Sequence, residues 1–204
     1  MKLLSRIVSA FPLIAATASV SSLSAHPAAF HATGDSSAIS AGFLHPLTGL
    51  DHLVVMVAVG LWAVQIGGRA LWALPCAFVF SMMIGGASGL STGVAAPVAE
   101  HGILASLFLL GAALGMAWRP GLIWAIVMTS LAGLCHGYAH GSEMPSGLLP
   151  LLYFAGMVSA TAILHAAGVG AGSLIHRAGT PLILRASGAA VLLFAIYDTL
   201  FPVA

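Results

Sequence analysis

His136 and His140 stand four residues apart, with Glu143 three residues further on. On a helix these separations place two imidazoles and a carboxylate on one face. Such a set chelates a divalent cation, and the carboxylate offsets its charge. A second group lies upstream, where His45, Gly49, His52 and Met56 follow at intervals of four, three and four residues. Read as a single helix, that stripe carries two imidazoles with a glycine leaving it open between them. Asp51 points off the stripe. It can reach a neighbouring helix or orient His52 through a hydrogen bond, or form with it a purely structural pair. Met56 is either core packing or an accessory sulfur ligand. Glu100 and His101 are a weaker third group, since adjacent residues on a helix do not share a face. Imidazole nitrogen and carboxylate oxygen dominate this donor set, which suits Ni²⁺, Co²⁺ or Zn²⁺ better than Cu⁺.

Whatever elements position these groups lie in a membrane. The chain has 204 residues, 60% of them hydrophobic and 5% charged, and a mean hydropathy of +1.07. A soluble domain carries about 25% charged residues. Disorder needs low hydrophobicity and high charge, which are both absent. Six Lys and Arg against five Asp and Glu provide no basic field for nucleic acid. Residues 70–99 and 144–176 contain no charged side chain, and about 20 apolar residues suffice to cross the hydrocarbon.

Lys2 and Arg6, the apolar run to Val20 and the small residues up to Ala25 have the layout of a secretory signal peptide over 1–25. Cleavage there leaves His26 as the first residue, whose amine and imidazole can hold a metal ion although Pro27 has no N–H to join the chelate. A short periplasmic lead follows over 26–41. The remainder, 42–204, reads as an all-α polytopic membrane protein. It is a compact six-helix bundle with spans near 42–66, 70–91, 97–118, 121–141, 148–170 and 182–200. Arg69, Arg119, Arg177 and Arg185 all fall at connections on one side, which the positive-inside rule makes cytoplasmic. A cleaved signal independently places the mature N-terminus in the periplasm, and six spans return the C-terminus there.

With that orientation, Asp51, Glu100, Glu143 and Asp198 from four different spans gather in the outer half of the bundle, three of them beside histidines. Trp62, Trp72, Trp118 and Trp124 fall toward the cytoplasmic ends, and Phe43, Tyr138, Tyr153 and Tyr197 toward the outer ends, as interfacial anchors do. His165 is remote from the cluster and reads as a core histidine or an exit gate. Cys76 and Cys135 lie at different depths and are not expected to pair. Glycines four apart (Gly85/Gly89/Gly93, Gly111/Gly115, Gly133/Gly137 and Gly168/Gly172) suit close helix packing in lipid.

The segment His45-Pro46-Leu47-Thr48-Gly49-Leu50-Asp51-His52, followed by Met56 and Gly60, resembles one signature of the hydrogenase/urease accessory membrane protein family of nickel and cobalt permeases. His136-Gly137-Tyr138-Ala139-His140-Gly141-Ser142-Glu143-Met144-Pro145 resembles that family's second signature. The resemblance implies a multi-pass protein of the bacterial inner membrane that carries Ni²⁺, or Co²⁺, inward as cargo, with no tightly bound cofactor. It implies metal contact by His45, Asp51 and His52, faced by His136, His140 and Glu143. An intramembrane zinc hydrolase using the same cluster is the rival reading, and a haem protein is disfavoured by the acids among the histidines.

Overall fold

The structure is a computed structural model that describes residues 35–92 and 97–201. Among these residues it is wholly helical, with seven helices: α1 (Asp35–Thr48), α2 (Leu50–Ile66), α3 (Ala70–Thr92), α4 (Pro97–Gly115), α5 (Leu122–Ser142), α6 (Pro150–Arg177) and α7 (Pro181–Leu200). Prolines open α6 and α7 within their first turn, where the missing N–H has no intrahelical partner to lose. Gly67 and Gly68, at φ 81° and 57°, reverse the chain between α2 and α3 in a conformation that side chains resist.

Helices α3 to α7 are each long and apolar enough to cross a membrane, and α1 with α2 passes the same test as one pair bent by 82°. The outward faces agree: Phe80, Ile123, Leu151 and Leu182 are all more than 70% exposed, which hydrocarbon tolerates and water does not. The chain is a multi-pass, all-helical membrane protein.

The bend corrects the sequence reading. A continuous first span over 42–66 was expected, with His45, Gly49, His52 and Met56 on one face. Instead the helix breaks at Gly49, whose backbone is extended (φ −89°, ψ 114°), so His45 ends one helix and His52 begins another. Pro46 sits inside α1, and the chain breaks three residues beyond it. Other boundaries move as well. α1 already begins at Asp35, inside the expected 26–41 lead. α6 runs to Arg177, past the expected end at 170, and its 28 residues span about 42 Å. The leader 1–25, His26 and Gly93 lie outside the described residues.

Glycine brings the helix backbones into contact. A methyl group on Gly85 or Gly89 would overlap the carbonyls of Leu134 or Tyr138, and one on Gly133, Gly137 or Gly141 would overlap those of Phe78, Met82 or Gly86. α3 and α5 thus zip together from both sides, which is how helices gain van der Waals contact without a hydrophobic drive. Gly188 meets the backbone of Gly115 in the same way, joining α7 to α4. The long α6 holds both halves of the broken pair: Gly42 lies against the Tyr153 carbonyl and Gly156 against that of Ile39, while Gly60 lies against His165 and Gly168 against Val57.

Trp62 is the second correction. It is not an interfacial anchor but fully buried, and its Nε1–H donates to the Trp118 carbonyl at 3.1 Å. Gln65 donates to the same carbonyl and to that of Ala113, at 3.2 and 2.9 Å. These bonds tie the end of α2 to the α4–α5 connection. Trp72, Trp118 and Trp124 remain exposed, as a belt requires.

Candidate metal path

The break at Gly49 turns the end of α1 and the start of α2 toward the last turns of α5. His45 comes from α1, Asp51 and His52 from the first turn of α2, and His136 and His140 from α5, with Glu143 capping that helix. The imidazoles make a line. His45 and His140 have ring centroids 4.7 Å apart, His140 and His52 4.5 Å, and His52 and His136 4.9 Å. At the head of the line, Glu143 Oε2 lies 3.4 Å from His45 Nε2, with side chains 48% and 26% exposed. His140 and His136 are buried. The line therefore runs from an accessible acid to an enclosed imidazole.

Hydrogen bonds fix which nitrogens carry lone pairs. Nδ1 of His52 lies 2.8 Å from Asp51 Oδ1. The carboxylate can only accept, so Nδ1–H donates and, in the neutral ring, Nε2 is left with its lone pair. Nδ1–H of His136 donates likewise to the Ala132 carbonyl at 2.8 Å. The Nε2 atoms of His52 and His136, and both nitrogens of His140, are buried with no hydrogen-bond partner. An unpaired buried polar atom costs about 1–3 kcal/mol, and four in one row are accounted for if the row exists to hold something else. Gly49 makes room: a methyl group there would come within 2.9 Å of Asp51 Oδ1 and 3.0 Å of His52 Nδ1. Among the described residues, however, no three His, Cys, Asp or Glu side chains are gathered around one point as a ready metal cage. The donors form a succession of pairs.

The weaker expectations divide. Glu100 is exposed in the first turn of α4. His101 turns back, its Nδ1 bonded to the Pro97 carbonyl of its own helix. Met56 is fully buried in the core, and its carbonyl accepts a hydrogen bond from His165. Cys76 and Cys135 are free thiols.

Two aromatic side chains were missed. Tyr153, expected as an outer anchor, is fully buried, with its ring 6.0 Å from that of His45 and its hydroxyl unpartnered. The Phe78 ring lies 5.3 Å from that of His136, tilted to it by 60°. A signal for Tyr153 was present. Tyr153, Met157, Thr161 and His165 recur every four residues, and all four are buried on one face of α6.

Comparison with known proteins places the chain in a family. The family model described as HupE / UreJ protein matches residues 14–197. The chain belongs to the HupE/UreJ family. That family is linked to nickel and cobalt accessory function for hydrogenase and urease, and its members are membrane accessory proteins, not enzymes. Protein HupE of Rhizobium leguminosarum bv. viciae is 39% identical over 153 residues, which cover 75% of this chain and 80% of that protein. No solved structure matches the chain.

Proposed function

We propose that this HupE/UreJ protein is a permease that moves divalent nickel, and cobalt as a second cargo, from periplasm to cytoplasm across the bacterial inner membrane. The metal would then serve maturation of enzymes such as hydrogenase or urease. The observation that carries this reading is the line of four imidazoles, three of which (His52, His136 and His140) have buried, unpartnered nitrogens. Paired donors in succession suit a cargo that must leave as well as arrive, whereas a resident cofactor needs a closed cage. The reading includes a signal peptide over 1–25, six spans with the broken α1–α2 pair as the first, and both mature termini in the periplasm. The hydrated ion meets the acids first. It then exchanges water for imidazole at His45, His140, His52 and His136, with the membrane potential favouring inward passage of a double charge by roughly 4.6 kcal/mol at 100 mV.

The test is flux of Ni²⁺, Co²⁺, Zn²⁺ and Mn²⁺ in competition, into vesicles carrying the purified protein. Ni²⁺ or Co²⁺ should enter in preference. Flux that persists unchanged after both His52→Ala and His136→Ala would sink the reading.

Asp51 supplies a sharper check. Asp51→Asn keeps an oxygen that can accept from His52 Nδ1–H but removes the charge that raises the basicity of the ring. Nickel affinity by titration calorimetry is expected to fall about 10- to 100-fold with the thermal melt unchanged. Equal affinity would reduce the Asp51–His52 contact to a structural pair.

A further inference from the structure

His165, the last member of the buried row on α6, is an imidazole that the line of four leaves without a task. It is 2% exposed, and its Nδ1–H donates to the Met56 carbonyl at 2.7 Å. A carbonyl only accepts, so this bond holds the proton on Nδ1 and puts the lone pair on Nε2. That atom is buried without a hydrogen-bond partner. His136 is held in the same tautomer by Ala132. The ring of Phe78 touches both, 5.3 Å from His136 and 5.0 Å from His165. Two imidazoles, each with a buried, unpartnered Nε2 and its proton held on Nδ1, thus stand against one aromatic ring.

The surroundings of His165 are also equipped. Phe78 and Met82 lie one turn apart on α3, and Thr161 and His165 one turn apart on α6. Phe78 meets His165, while the Thr161 hydroxyl donates to Met82 Sδ at 3.7 Å. A thioether and a hydroxyl therefore lie one turn along from the contact of Phe78 with His165. Were His165 present only to pack α2 against α6, its Nδ1 bond would suffice and the unpaired Nε2 would be a net cost.

We propose that His165 is a fifth station on the metal path, taking the divalent cation on Nε2 from His136 past the edge of Phe78. The inference rests on the permease reading. The transfer is a ligand exchange in which the bond from His136 Nε2 to the metal breaks as the bond from His165 Nε2 forms. No proton moves, because Nδ1 holds it on both rings.

The test uses Ni²⁺ alone and two variants in the full chain. His165→Asn retains an N–H close to the place of Nδ1 for the Met56 carbonyl and loses the Nε2 lone pair. His165→Gln places a weakly ligating amide near the position of Nε2. In each folded variant, Ni²⁺ affinity at the line of four should stay within about threefold of the wild type while flux into vesicles falls at least about tenfold. Flux within threefold of wild type in either folded variant overturns the proposal. So does loss of folding, or of Ni²⁺ affinity together with thermal stability, in both variants, since that assigns His165 a packing role. A wild-type protein that carries no Ni²⁺ refutes the permease reading itself, and this inference falls with it.

Discussion

His140→Ala is expected to lower Ni²⁺ flux into vesicles by a factor of about 100 or more, the largest loss from any single site substitution. His140 is the hub of the line, with its ring 4.7 Å from that of His45 and 4.5 Å from that of His52, and both of its nitrogens are unpartnered. Removing it separates the accessible pair, Glu143 and His45, from the enclosed pair, His52 and His136. Its loss breaks no hydrogen bond of the fold, so the cavity left by the buried ring is the stability cost to expect. The double variant with His52→Ala should then be little worse than His140→Ala alone, since groups that act in one chain are not additive. Initial rates of radioactive nickel uptake measure both. If His140→Ala transports at the wild-type rate, the ion does not travel along this row.

Gly137→Leu is expected to leave no folded protein. A β-carbon on Gly137 would sit on the Met82 carbonyl and crowd the Met82 Cα, so the clash is with backbone and no rotamer relieves it. α3 and α5 would have to separate along the zipper that also seats His136 and His140. Gly170→Ala is the matched control, because nothing lies within 4 Å of the β-carbon it adds. Its helical propensity should leave stability unchanged or raise it by up to about 1 kcal/mol. Monodispersity in detergent and thermal melting separate the two substitutions. Equal behaviour would show that the close approach of α3 and α5 is not what holds the bundle.

That His136 and His140 leave α5 on one face was legible because four-residue spacing survives intact on a regular helix, whereas Glu143 falls just past the helix end, as its C-cap. The glycine contacts were legible for the same reason. The break at Gly49 was legible only in part: Pro46 marks a place near the outer rim where irregular backbone can bend a helix, but Pro46 is accommodated within α1 and the break comes three residues later. The result is that His45 and His52 converge around a corner instead of along a stripe. Burial of Trp62 and Tyr153 was hidden by composition: near a span end, an aromatic residue that faces lipid and one that faces inward look alike. Only the four-residue recurrence along α6 distinguishes Tyr153. His165 lies outside both histidine motifs in sequence, and its link to His136 runs through the ring of Phe78, contributed by a third helix.

The corner at Gly49 also arranges the backbone's own charge. A helix terminus carries roughly half an elementary charge, negative at the C-terminal end and positive at the N-terminal end. At the imidazoles, the C-terminal ends of α1 and α5 meet the N-terminal end of α2, which an unbroken first span could not have brought there. Two partial negative charges therefore face one partial positive charge, and the Asp51 carboxylate in the first turn of α2 counters the latter. The peptide groups alone favour a cation at this place before any side chain contributes.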